Sequence, residues 1–272
     1  MKVFINSIPK SGTNLVQKVL HLAGIPYTGK SVAASSIFGR YALIKYMLRR
    51  PQINEVPVAI GLEVPVSVSR KWLIRYLQIP GGSYVSGHSA YSHHFAYLLQ
   101  REQFKMIQVI RHPCAIVNSW ANYIVTPGYY WKAASNAMRS LPFNERVRAI
   151  SRGGELGTVF YPGIGEVLNK AEGWYRQDFV LSVRFEDLVG KKGGGSDDRQ
   201  RETLMKIFAH INYKVPPKSL DKIQNELFGG THTFRKGDNH EWAHVIDDKS
   251  KEILSAELSN SWIMEKFEYS MT

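Results

Sequence analysis

Apolar and polar positions recur along this chain with two different periods, and the change of period marks its elements. Residues 3–7 (VFINS) are a short β-prone run that enters Pro9-Lys10-Ser11-Gly12. Beyond it Leu15, Val16, Val19, Leu20 and Ala23 recur at helical spacing up to Gly24. The pattern predicts strand, turn, helix. A similar unit follows at 105–122, where KMIQVI reads as a buried strand, Arg111-His112-Pro113 interrupts it, and Pro113 suits the first turn of a helix. Further strand-like pieces lie at 56–60, 83–86 and 179–185, between helical patterns near 66–78, 92–102, 163–177 and 198–210. Strands alternating with helices predict an α/β fold with a central parallel sheet flanked by helices on both faces. The last third reads as a helix at 217–228, a break at Gly229-Gly230, a polar segment at 231–247 and a closing helix near 248–266. There is no fixed-period repeat and no Pro- or Ser-rich linker, and KKGGGSDD at 191–198 reads as a surface loop before a helix. Residues 1–272 are therefore expected to form a single domain.

Composition adds limits. With 272 residues, 44% hydrophobic and 21% charged, the chain is long enough to bury its own core without a disulfide or metal staple. A single cysteine, Cys114, excludes an intramolecular disulfide and a cysteine-based zinc site. No apolar run approaches the roughly 20 residues that span a bilayer, and MKVFINSIPKSG does not read as a signal peptide. The expectation is a cytoplasmic protein. Lys and Arg total 35 against 23 Asp and Glu, a net charge of +12 that calls for an anionic partner such as a phosphorylated cofactor, an acidic glycan, a membrane surface or nucleic acid. The cations are scattered in pairs such as Arg49-Arg50, Lys191-Lys192 and Arg235-Lys236, so they form no basic tail.

Three segments carry candidate chemistry. In Pro9-Lys10-Ser11-Gly12-Thr13-Asn14-Leu15, a lysine, a glycine and small polar residues sit between a strand and a helix. The backbone N–H groups at the helix start, its dipole and the Lys10 charge together make an anion site. It is not the nucleotide-triphosphate loop GxxxxGK[ST], since Lys10 precedes Gly12. Arg111 ends a buried strand, and Ser119 lies about two turns along the next helix, so a forked donor and a hydroxyl reach toward one phosphate. Phe234-Arg235-Lys236-Gly237, followed by Trp242, is a basic loop able to close over an anion. Taken singly, each has an ordinary counterpart: a capped helix, a structural ion pair, a solvated turn.

Together the three segments resemble the PAPS-dependent sulfotransferases of the cytosolic type, in order and spacing over nearly the whole chain. The matching pieces are IPKSGTN, RHPCAIVNS and FRKGDNHEW, with Phe185-Glu186-Asp187-Leu188 in the place of an acidic-pair motif. The resemblance implies the P-loop-kinase-like sulfotransferase architecture, with PAPS as donor and PAP as product. It implies that Lys10, Ser11, Gly12, Thr13 and Asn14 bind the 5′-phosphosulfate end. Arg111 and Ser119 would bind the 3′-phosphate, with Arg235, Lys236 and Gly237 completing that site and Phe185 at the base. The chain departs from the family at Leu15, where an aromatic residue often stacks on adenine, at Phe185 in place of a Tyr, at Asn14 in place of a second Thr, and at His240-Glu241 in place of Gly-Asp. None of these removes a cation.

The same resemblance makes His88, at the end of SYVSG, the general base, and assigns Lys10 to the leaving 5′-phosphate. His93 and His94 compete by proximity but fall inside the next helix. No metal is expected: there is no HExxH, and adjacent histidines point apart on a helix. For the acceptor, a small molecule, lipid or saccharide, the aromatic-rich stretch 120–162 suits either a pocket wall or plain core. The helical SIFGRYALIKYMLRR suits a wall, a core helix or a basic surface element. A nucleotide-dependent kinase of related fold and a basic nucleic-acid-binding module are the alternative readings. Oligomeric state is not legible.

Overall fold

The strand, turn and helix read at the N-terminus form the centre of the sheet. The computed structural model describes residues 1–38, 42–64, 66–156, 159–230 and 239–271. In it β1 (Lys2–Ser7) runs through a tight turn into α1 (Thr13–Leu22). With β2 (Tyr27–Val32), β3 (Ser83–Gly87), β4 (Phe104–Ile110) and β5 (Val180–Arg184), β1 forms a five-stranded sheet in the order β2-β3-β1-β4-β5, parallel throughout. The register sets Asn6 level with Gly87 on one side and Gln108 on the other. The strand order turns back at β1, and open parallel sheets bind ligands beyond the strand C-termini at that point.

Period-two alternation sorts the sheet residues onto two cores. Val3 and Ile5 of β1, with Ile107 and Val109 of β4, face α1 and the helices Asp197–His210 and Pro217–Glu226. Phe4, Val85 and Met106 face the other way, against Phe95, Leu98 and Leu99 of α2 (His93–Arg101) and against Trp174. A third cluster gathers α3 (Pro113–Tyr123) with the helices Phe143–Arg152, Ile164–Glu172 and Asp248–Leu258. Polar side chains inside the sheet are paired. Asn6 donates to Gln108 Oε1 at 2.9 Å and to the Ser89 carbonyl at 3.1 Å and accepts from the Ser89 amide at 2.8 Å, while the Trp174 indole also donates to Ser89 O at 2.9 Å. Such pairing offsets the desolvation that burial imposes on them.

Pro113 occupies the first turn of α3, as its position after β4 predicts, and the His112 side chain caps that helix by accepting from Cys114 N at 3.2 Å. Elsewhere the pattern misleads. The edge strand β2 was not anticipated, because YTGKSV is polar and half exposed. The 56–60 run contributes only Val58–Ala59, paired antiparallel with Ser67–Val68, and the helical pattern near 66–78 yields a helix at Arg70–Tyr76. The closing helix divides into Asp248–Leu258 and Trp262–Lys266. Its break falls where Ser259 Oγ turns back onto Ala256 O at 2.9 Å, a side-chain bond that competes with helix continuation. The aromatic stretch 120–162 carries the helices Lys132–Arg139 and Phe143–Arg152 and a hairpin of Gly153–Leu156 with Val159–Pro162. Trp120, Tyr129 and Tyr161 from it are buried core.

Candidate active site

Between β1 and α1 the chain makes a turn in which Lys10 adopts φ +72° and Gly12 φ +111°. Gly12 is required there twice over: its left-handed backbone suits glycine, and a Cβ at this position would lie 2.5 Å from Phe185 Cδ2. Helix α1 starts with no side-chain cap and no acidic residue in its first turn. Its first intrahelical bond is Leu15 N to Gly12 O at 2.9 Å, so the amides of Gly12 and Thr13 lie ahead of the helical ladder. The Ser11 hydroxyl is buried without a hydrogen-bond partner, and its amide is engaged by Ile8 O at 3.1 Å. A helix terminus left in this condition is suited to an anion. The Lys10 ammonium rests over the Tyr123 ring, 4.0 Å from its centre.

His88 follows β3 directly. Gly87 before it cannot be larger, since a Cβ would sit 2.6 Å from Val32 O and 2.8 Å from Phe4 Cζ. The imidazole Nδ1 lies 3.0 Å from the Ser7 carbonyl and 3.2 Å from Ser7 Oγ. A carbonyl only accepts, so the bond to it requires the proton on Nδ1 and leaves Nε2 with a lone pair. Burial, and secondarily the Lys10 charge, hold the His88 pKa below the ordinary imidazole value, against a raising effect of the Ser7 bond. The neutral ring is thereby favoured at physiological pH. His93 and His94 stand at the start of α2, outside this cavity; His93 Nδ1 lies 3.0 Å from the Tyr91 hydroxyl.

Beyond β4, the Arg111 guanidinium lies over the Phe185 ring at 4.3 Å. Phe185 opens the short helix Phe185–Leu188, and Glu186 ties that helix down by accepting from His112 N at 2.8 Å and from the Tyr269 hydroxyl at 2.9 Å. Next to Ser119, Asn118 donates to Glu241 Oε2 at 3.0 Å, and Trp242 stacks on His112 with 4.6 Å between ring centres, which fixes the start of the helix Glu241–Val245 against α3. Arg235, Lys236 and Gly237 lie outside the described residues.

Lys10, Gly12, Thr13, Asn14, Arg111, Ser119 and Phe185 line one open cavity of about 410 Å³, and His88 lines it with them. Ser11 is behind its wall. Sequence reasoning missed Ser7, whose hydroxyl contacts Thr13 Oγ1 as well as His88, and Glu63. Glu63 lines the same cavity and accepts a hydrogen bond from Tyr130. Burial raises its carboxyl pKa to about 7, although the Tyr130 bond works the other way. Nothing in GLEVP distinguishes Glu63 from a surface glutamate; only the fold turns it inward.

No protein-family profile matches this chain, and no curated protein matches its sequence. Its fold does have solved counterparts. The crystal structure of mouse sulfotransferase SULT7A1 complexed with PAP is similar with a TM-score of 0.61 and 16% identity, over 99% of this chain and 89% of that one. Retinol dehydratase in a complex with retinol and PAP follows with a TM-score of 0.58 and 13% identity, over 96% and 82% of the two chains. The chain has the fold of the sulfotransferases, as the resemblance in its motifs implied.

Proposed function

We propose that this chain is a PAPS-dependent sulfotransferase that places a sulfuryl group on a hydroxyl of a small-molecule, lipid or saccharide acceptor and leaves PAP. The observation that carries the reading is the meeting, at one cavity, of the His88 ring with the anion cradle of α1 and with Arg111. PAPS, when bound, supplies the sulfuryl group and a phosphate leaving group. The residues fit it: an uncapped helix start, a buried Ser11 hydroxyl without a partner, a glycine at position 12 with no room for a side chain, and cationic and hydroxyl donors at both ends. Proteins of similar fold have been crystallised with PAP, and one of them, retinol dehydratase, also with retinol and with androsterone.

On this reading Lys10, Gly12, Thr13 and Asn14 hold the 5′ end, with Ser11 supporting the turn from behind. Arg111 and Ser119 hold the 3′-phosphate, Phe185 borders the base, and Arg235, Lys236 and Gly237 complete the 3′ site. His88 Nε2 accepts the proton of the acceptor hydroxyl, its ring fixed by the Nδ1 bond to Ser7 O. Lys10 neutralises charge developing on the departing phosphate oxygen. The chemistry uses no metal, runs within one domain spanning residues 1–272, and is assigned to the cytoplasm.

Thermal unfolding with PAP, with ATP and Mg²⁺, and with an oligonucleotide tests the donor. PAP at a hundredfold excess over its Kd should add about 2.7 kcal/mol. His88→Ala should retain that stabilisation while transfer from PAPS falls roughly 10²- to 10⁴-fold. Selective stabilisation by ATP or the oligonucleotide, or equal loss of PAP binding and transfer in His88→Ala, would show the reading to be wrong.

A further inference from the structure

Large apolar side chains exposed to solvent are concentrated in one place. Among the described residues nearly half of them, Ile44, Tyr46, Met47, Leu48, Ile53 and Val56, fall within thirteen consecutive positions, with Leu48 76% and Ile53 fully exposed. They belong to the helix Ala42–Arg49 and the segment after it. Concentrations of exposed apolar side chains mark contacts with a membrane or another protein.

The charge around the patch is mostly positive. Between residues 42 and 75 the cations are Lys45, Arg49, Arg50, Arg70, Lys71 and Arg75, against two acids, Glu55 and Glu63. Glu63 faces the cavity, and Glu55, partly exposed beside Lys71, is engaged locally, accepting from Ser69 Oγ at 2.8 Å and from Lys71 N at 2.9 Å. These bonds, with Ser69 N to Arg49 O at 2.7 Å, draw residues 49–55 and 69–71 together. Arg50 and Lys71 are both exposed there. The base of the element is held: the Arg49 guanidinium packs 4.9 Å from the Trp72 ring centre and donates to Ile37 O.

We propose that residues 44–56 dock the protein on an anionic lipid surface, with Leu48 and Ile53 entering the headgroup region and Arg50 and Lys71 meeting lipid phosphates and carboxylates. An amphipathic element with exposed aliphatic tips beside cations lies in such an interface. No helix among the described residues is long and apolar enough to cross a bilayer, so the contact is peripheral. The short helix Ala34–Phe38, whose Ile37 carbonyl takes the Arg49 bond, also contributes Ala34, Ser35 and Ser36 to the cavity wall. Docking therefore brings the cavity to the membrane surface. The inference does not depend on the transfer chemistry.

The test is co-sedimentation of the full chain with vesicles of phosphatidylcholine alone or mixed with phosphatidylserine, at low and high salt. Partitioning should be at least about tenfold stronger onto the mixed vesicles and should weaken with salt. Leu48→Ser with Ile53→Ser, and separately Arg50→Glu with Lys71→Glu, should each reduce it about tenfold or more. Unchanged thermal unfolding of both variants verifies that the fold is intact. Equal partitioning onto both vesicle types, or variants that partition like the parent, would overturn the proposal. So would a dimer in light scattering that disappears in the Leu48/Ile53 variant, since the patch would then be an interface between copies of this chain.

Discussion

The two ends of the cavity are built on different plans. At the cradle end a few consecutive residues do nearly everything: Lys10, Gly12, Thr13 and Asn14 come from one turn, and their geometry follows from the strand and helix on either side. At the other wall Glu63 meets Tyr130 across a sequence separation of 67, and Tyr123 of α3, under the Lys10 ammonium, joins that wall to the cradle. Local construction fixes a general anion site; remote construction lets the other wall vary without disturbing it. The cradle end is also cationic, whereas the far end is aromatic with a carboxyl near neutrality.

Substitutions at each end should separate the two. The largest effect is expected on the anion-binding side, at Arg111: Arg111→Ala removes a charge-assisted donor worth about 1.5–3 kcal/mol, so the PAP dissociation constant measured by calorimetry should rise about 10- to 100-fold. A change confined to the Michaelis constant of the acceptor would blur the division between the ends. The next effect comes from Glu63. The folded chain keeps its proton up to about pH 7, while the unfolded chain releases it near the reference value of 4.5. Stability accordingly falls as pH rises through that interval, by roughly 3 kcal/mol in principle and about 2 after discounting for contact with cavity water. Glu63→Gln should flatten this slope and be more stable than the parent above about pH 7 in urea unfolding; an unchanged slope would assign the pH dependence elsewhere. The smallest effect, about 1 kcal/mol, is expected for Tyr130→Phe. Because the Tyr130 bond lowers the Glu63 pKa, its loss should also move the Glu63 transition to higher pH.

The sequence exposes what is local and hides what is assembled. β1, α1, β4 and the start of α3 were readable because apolar periodicity and punctuation by Gly12 or Pro113 coincide in short windows. β2 was not, because an edge strand with a mixed face has no alternation to read and takes its place by pairing with β3. The aromatic residues of 120–162 show the same limit inside the site. Tyr129 and Tyr130 are neighbours in sequence, yet one is core and the other is partly exposed at the cavity, a distinction set by the hairpin and helices packed behind them. Motif resemblance pointed to the cradle residues, which are consecutive, and to His88 by its place at the end of a strand; it had nothing to say of Ser7 or Glu63.

Ser7 gives the site a sense of direction. Its hydroxyl lies between Thr13 Oγ1 and His88 Nδ1 and has a single proton to give. With the Nδ1 proton held on the Ser7 carbonyl, Nδ1 has no lone pair for the Ser7 hydroxyl, so the Ser7 proton turns toward Thr13, and the Thr13 proton is then released toward whatever stands at the head of α1. Three side chains, one closing β1, one following β3 and one opening α1, thus form a polarised file, in which the tautomer of the imidazole and the orientation of a hydroxyl at the anion cradle are chosen together.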